Sequence, residues 1–166
     1  MFIKNRNLNK LIRFRGGKDR KNNLKGIFLD RNERIIPFDT QLKKKLQKLI
    51  LKINLSKYPN ISILYSKISK WLKISSDKIF ITEGLDGAIR LMFQSYTQAN
   101  ISNVIFPDPS FAMYKVYCGM FGVEAKIIGY DKNYNLLHNN IYKMANKNTA
   151  IIFLPNPNMP IEGFLK

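Results

Sequence analysis

The sequence predicts an α/β layer fold with a largely parallel sheet, preceded by an extended arm and a helical segment. Two observations carry that prediction. Beyond Asp77, short apolar runs alternate with helix-length segments whose apolar residues recur every three or four positions, which is the pattern of strand and helix in turn. Before Asp77 the periodicity is helical only, and before Phe38 none is sustained. With 166 residues, 45% of them hydrophobic, the chain suits about one packed domain that would bury roughly 68–70% of its unfolded surface.

Residues 1–38 mix Gly16-Gly17, charges and one apolar run, Ile27-Phe28-Leu29, and read as an N-terminal arm. A helix is expected after Asp39 or Thr40 as N-cap, with Leu42, Leu46, Leu49, Ile50 and Ile53 on one face. "SKYPN" ends it, because Pro59 disfavours helical geometry at Tyr58. A second helix is expected from Ser62, with Leu64, Ile68, Trp71 and Leu72 inward, and it completes a helical segment over 39–77. From residue 78 to 166 the strand–helix alternation begins. Ile79-Phe80-Ile81-Thr82 reads as a strand, and Leu85, Ile89, Met92 and Tyr96 form a helical stripe. Val104-Ile105-Phe106 is the next strand, and a helix follows with Ser110 as N-cap, an apolar side of Tyr114, Tyr117, Cys118 and Phe121, and Gly122 as its stop. Val123, Ala125 and Ile127 alternate as a strand, a short helix is expected over 140–146, and Ala150 to Leu154 is a last strand.

The bulk numbers exclude several functions. A formal net charge of +17 and a pI near 10.0 suggest phosphate-rich partners. However, Lys43, Lys44, Lys45 and Lys48 alternate with helix-face leucines and read as a solvated side. Lysine, asparagine and isoleucine abound along the whole chain, and no recognition motif accompanies the charge, which argues against nucleic acid as a partner. Cys118 is the only cysteine and His138 the only histidine, so disulfide frameworks and Cys/His metal sites are excluded and a reducing, cytoplasmic setting is expected. Cys118 falls on a helix's apolar face, as a structural thiol would. No stretch approaches the roughly 20 apolar residues of a membrane span.

In parallel α/β sheets, ligands sit outside the carboxyl ends of the strands, so the post-strand loops hold the candidate site. "TEGLDGAI" passes through Gly84 directly into a helix, whose first backbone N–H groups and partial positive charge suit a phosphate. A tight strand-to-helix turn would need the glycine in any case. "PDPSFAMY" puts Phe111 and Tyr114 at a helix start, where a ring either stacks on a planar ligand or joins the core. "PNPNMPIEG" offers asparagine carboxamides on a rigid turn, although Asn and Pro are also ordinary turn residues.

In this order the three loops resemble the N-terminal half of the fold-type-I aminotransferases that depend on pyridoxal phosphate. The likeness is closest to the histidinol-phosphate aminotransferase branch, to which "FLDRNERIIPF" and "KYPN" are also similar. It covers roughly residues 28–163. It implies a three-layer α/β/α large domain, truncated here, with a mostly parallel sheet. It implies pyridoxal 5'-phosphate as cofactor, a small-molecule amino donor with a 2-oxo acid as substrates, and a homodimer. Gly84, Leu85, Asp86 and Gly87 stand where the family holds the cofactor phosphate, Leu85 and Asp86 chiefly through backbone N–H groups and helix position. Phe111 stands where a ring, usually Tyr, stacks on the pyridine. Tyr58 corresponds to a Tyr that reaches the neighbouring subunit's cofactor phosphate, and Asn32 and Glu33 match a segment near the substrate.

Met159 departs from the family pattern. It stands where the family has the Asn that donates to the cofactor's phenolic oxygen, and Met has no donor. Either Asn158 takes the role, or the contact is dispensable, or the protein is a degenerate relative. The family's Schiff-base lysine lies well beyond the matching turn, so no catalytic lysine is expected among these residues, and a fragment inactive by itself is expected. The resemblance also leaves open a decarboxylase of amino-acid phosphates and a non-catalytic basic binding protein.

Overall fold

The structure is a computed structural model that describes residues 34–161. Most of the expected arm, with Asn32 and Glu33, lies outside the described residues. The described residues divide into two units, 34–80 and 81–161.

In residues 34–80, α1 spans Thr40–Ile50 and α2 spans Ser62–Leu72. Asp39 caps α1 as its sequence predicts, its Oδ1 accepting the Leu42 N–H at 2.7 Å. Asn54 and Asn60 fold the link around themselves, each Oδ1 accepting the backbone N–H and the hydroxyl of the serine two residues on. Lys73 ends α2 in the left-handed region at φ 56°. The inward face expected of both helices is not buried: no residue of α1 or α2 is, and Trp71 is 79% exposed. Helical periodicity marks an apolar stripe, and two 11-residue helices carry too little surface to enclose one.

Residues 81–161 hold α3 (Leu85–Tyr96), β1 (Asn103–Pro107), α4 (Met113–Phe121), β2 (Glu124–Ile128), α5 (Asn139–Met144) and β3 (Thr149–Ile152). The described sheet is parallel in the order β2-β1-β3. Val104, Phe106, Ile151 and Phe153 project from one face into a core shared with Ile89 and Phe93 of α3 and with Tyr114, Tyr117 and Cys118 of α4. Its centre is aromatic: Phe93 packs against Phe121 and Phe153, each at 5.8 Å between ring centres, and Phe153 stacks on Tyr114 at 4.6 Å. On the alternate positions, Lys126 donates to the Met144 carbonyl at 3.0 Å and ties α5 to the other face. Asn103, 1% exposed at the start of β1, bonds both Thr149 and Asn146 and anchors β3 beside it.

Three expectations need correction. The segment Ile79-Phe80-Ile81-Thr82 is not among the strands of the described sheet, although Ile79 is extended. The buried stripe of α3 runs through Ile89 and Phe93, while Leu85 and Tyr96 are 74% and 67% exposed, because Phe93 is the residue facing the aromatic core. Ser110 does not cap α4, whose N-cap is Ala112 with no side-chain bond. Gly122 does end α4, at φ 66°.

Candidate functional site

Helix and strand lengths place the site. The C-cap of α4, Gly122, accepts the Asn100 N–H shortly after α3 ends, so both helices finish at the amino end of the sheet. The 12 residues of α3 rise about 18 Å and the five of β1 about 16 Å, so the first turns of α3 and α4 both lie at the carboxyl end. Three loops gather there, after β1, β2 and β3.

Gly84 enters α3 at φ 97° and ψ −179°, a conformation that side chains disfavour, and no side chain caps the helix. The ladder starts with the Ala88 N–H donating to the Gly84 carbonyl, so the N–H groups of Leu85, Asp86 and Gly87 precede the first intrahelical bond. Leu85 is an exposed side chain, consistent with a contribution from its backbone only. Asp86 turns its carboxylate to α4, where Oδ1 accepts from the Tyr117 hydroxyl at 2.9 Å. Glu83, just outside the turn, pairs with Arg90 at 2.6 Å. Three uncapped donors at a positive helix end, with the nearby Asp86 carboxylate engaged elsewhere, form a set that suits a phosphate dianion.

Phe111 is 44% exposed and meets Tyr114 edge-on at 5.8 Å, which holds one edge of its ring and leaves it at the surface. Tyr114 belongs to the core, at 5% exposure. The loop after β1 also carries Asp108, whose Oδ2 accepts from Lys115 at 2.7 Å.

Asn158 is buried, at 5% exposure, and its amide is fully engaged. Nδ2 donates to the Pro109 carbonyl at 2.9 Å and to the Tyr130 hydroxyl, and Oδ1 accepts from the Ser110 hydroxyl at 2.7 Å. It joins the loops after all three strands, and neither of its amide hydrogens is left to present to a ligand. Met159 beside it is half-exposed. Burial raises the Tyr130 phenol above its ordinary value; the Asn158 hydrogen bond opposes this and the Asp108 charge reinforces it. Burial also pushes the Cys118 thiol up to about 12, which leaves it protonated and unreactive. Tyr58 is fully exposed in its own unit. Ser110 and Tyr130 are the residues that sequence reasoning missed: both lie in post-strand loops, but at 48 and 28 positions from Asn158 respectively no local pattern pairs them.

The family model for "Aminotransferase class I and II" matches residues 27–161. A histidinol-phosphate aminotransferase of Pelagibacter ubique is 30% identical over 159 residues, covering 94% of this chain and 43% of that protein. Cystalysin from Treponema denticola, whose structure contains a pyridoxal 5'-phosphate cofactor, superposes with a TM-score of 0.70 at 17% identity, over 80% of this chain and 36% of that one. L-threonine-O-3-phosphate decarboxylase from Porphyromonas gingivalis gives 0.56 at 23% identity, over 74% of this chain and 36% of that one. The chain spans less than half the length of the curated relatives it matches. With a parallel α/β sheet of the fold-type-I architecture and a family match over most of its length, the chain belongs to the class I and II aminotransferases, a family that uses pyridoxal phosphate.

Proposed function

We propose that these residues form the cofactor-phosphate-holding part of a longer pyridoxal 5'-phosphate-dependent aminotransferase. The observation that carries this reading is the uncapped first turn of α3, entered through Gly84 at φ 97°, in a chain that matches the family model over residues 27–161. The substrates are an amino acid or amino-phosphate ester, histidinol phosphate by likeness to the Pelagibacter ubique protein, and a 2-oxo acid.

In this reading the N–H groups of Leu85, Asp86 and Gly87 hold the cofactor phosphate, and Gly84 supplies the backbone turn that aims them. Phe111 covers a face of the pyridine ring, which excludes water from it. Tyr58, exposed in its own unit, reaches the cofactor phosphate of a partner subunit in a homodimer, and Asn32 approaches the substrate. The bound cofactor supplies an electron sink for the substrate's α-carbon. The lysine that bonds it belongs to the part of the protein that these residues do not include, so the chain alone is inactive. The setting is cytoplasmic.

The test uses the full-length protein. It is expected to take up pyridoxal phosphate with a visible absorbance band and to convert histidinol phosphate only when a 2-oxo acid is present. Release of carbon dioxide without need of a 2-oxo acid would assign it to the decarboxylases instead. Absence of cofactor uptake, with salt-sensitive nucleic-acid binding in its place, would overturn the enzyme reading altogether.

A further inference from the structure

We propose that Asn158 is a positioning residue and that the hydrogen-bond donor it presents to the cofactor is the hydroxyl of Tyr130. The inference rests on the cofactor reading above and follows from counting hydrogens at the rim. Four polar groups meet there: the Pro109 carbonyl, the Ser110 hydroxyl, the Asn158 amide and the Tyr130 hydroxyl. The Ser110 hydrogen goes to Asn158 Oδ1. One amide hydrogen of Asn158 goes to Pro109 and the other to the Tyr130 oxygen. A phenol can accept and donate at once. Since its oxygen accepts from Asn158, the Tyr130 hydrogen is the one donor of this network with no acceptor inside it.

Two further observations support the assignment. The Tyr130 phenol is held protonated by burial and by the nearby Asp108 charge, so it keeps its hydrogen throughout the neutral range. The side chain of Met159, the neighbour of Asn158 in the same turn, offers no donor. Asn158 acts through others: by holding Ser110 it fixes the residue next to Phe111, and by donating to Tyr130 it fixes where the phenol hydrogen points.

The experiment measures, in the full-length protein, the dissociation constant for pyridoxal phosphate and the visible circular-dichroism band of the bound cofactor. Tyr130→Phe removes only a hydroxyl and is expected to weaken cofactor binding about five- to tenfold and to alter that band. Asn158→Ala is expected to do the same, and the two changes together should cost less than the product of their separate effects, because they break one network. Asn158→Ser, which keeps one donor, should restore part of the affinity. Should Asn158→Ala fail to fold, Ser110→Ala and Tyr130→Phe carry the test. Wild-type protein that binds no pyridoxal phosphate overturns the functional reading and this inference together. Wild-type binding with unchanged affinity and an unchanged band in Tyr130→Phe overturns this inference alone, as does an Asn158→Ala protein that loses thermal stability while both readouts stay the same.

Discussion

The first turn of α3 and the rim pinned by Asn158 lie at the same end of the sheet, yet they are built from different parts of the chain. The α3 turn is made of backbone: one glycine at φ 97° and three consecutive N–H groups, with the Leu85 side chain exposed. The rim is made of side chains drawn from three loops, with a buried asparagine at the junction. A backbone site tolerates most substitutions and fails at the residue that sets its dihedrals. A side-chain junction fails wherever one partner is removed, because the half-buried Ser110 and Tyr130 hydroxyls are then left with bonds unmade.

The largest effect should therefore come from the rim. Asn158→Ala leaves the Ser110 hydroxyl, the Pro109 carbonyl and the Tyr130 hydroxyl without their shared partner, and is expected to destabilise by about 2–4 kcal/mol. Denaturant unfolding of the full-length protein checks this. A loss under about 0.5 kcal/mol, the usual range for surface changes, would erase the distinction between the two regions.

Next is Gly84→Ala. A Cβ at this position meets nothing within 4 Å, so crowding is not the problem. The dihedral is: φ 97° is poor for any side chain, and the expected cost is about 1–3 kcal/mol of stability or, if the turn relaxes, a matching loss of cofactor affinity. Leu85→Ser makes the contrast within the same turn and should leave both quantities nearly unchanged. A Leu85→Ser defect equal to that of Gly84→Ala would mean that the turn works through its side chains after all.

The same contrast explains what was legible in the sequence. The strands β1 to β3, the caps Asp39 and Gly122 and the loop "TEGLDGAI" are local patterns, and local patterns are what a sequence displays. The rim was not legible, because Ser110 resembles any helix cap until the fold brings Asn158 to it from 48 positions away. The buried stripe of α3 is hidden from the sequence for a similar reason. Phe93 and Leu85 are both apolar on an amphipathic helix, and only the aromatic side chains of Phe121, Tyr117 and Phe153 decide which of them turns inward. Along α1 and α2 the sequence displays the apolar stripe, but periodicity alone carries no information on whether that stripe is buried, and here it is not.

A smaller effect tests the electrostatics of the backbone site. Glu83 places a carboxylate just outside the first turn of α3, partly offset by Arg90 at 2.6 Å. Both side chains are well exposed, so the pair itself contributes little to stability. A negative charge near a helix N-terminus competes with a bound anion, and its removal in Glu83→Gln should tighten phosphate binding by about two- to fivefold at low salt, with the gain shrinking as salt rises. Competition between inorganic phosphate and the cofactor in the full-length protein measures it. Weaker binding in the variant would mean that the carboxylate acts mainly by steering Arg90.

The smallest effect lies in the turn after Tyr130. Asp131 accepts from the Asn133 and Asn135 backbones and from the Asn135 amide, and these bonds lower its pKa, the Asn135 backbone contributing most. A carboxylate whose pKa is lower in the folded state binds its proton more readily when unfolded, so it stabilises the fold above its ordinary value of about 3.9. That contribution fades as pH falls from there through the depressed value. Asp131→Asn should therefore lose a little stability at neutral pH and show a flatter acid limb than wild type, with the two curves converging in acid. If the variant instead titrates in parallel with wild type down to low pH, the turn after Tyr130 is held by its backbone, and the loop after β2 belongs with the α3 turn rather than with the rim.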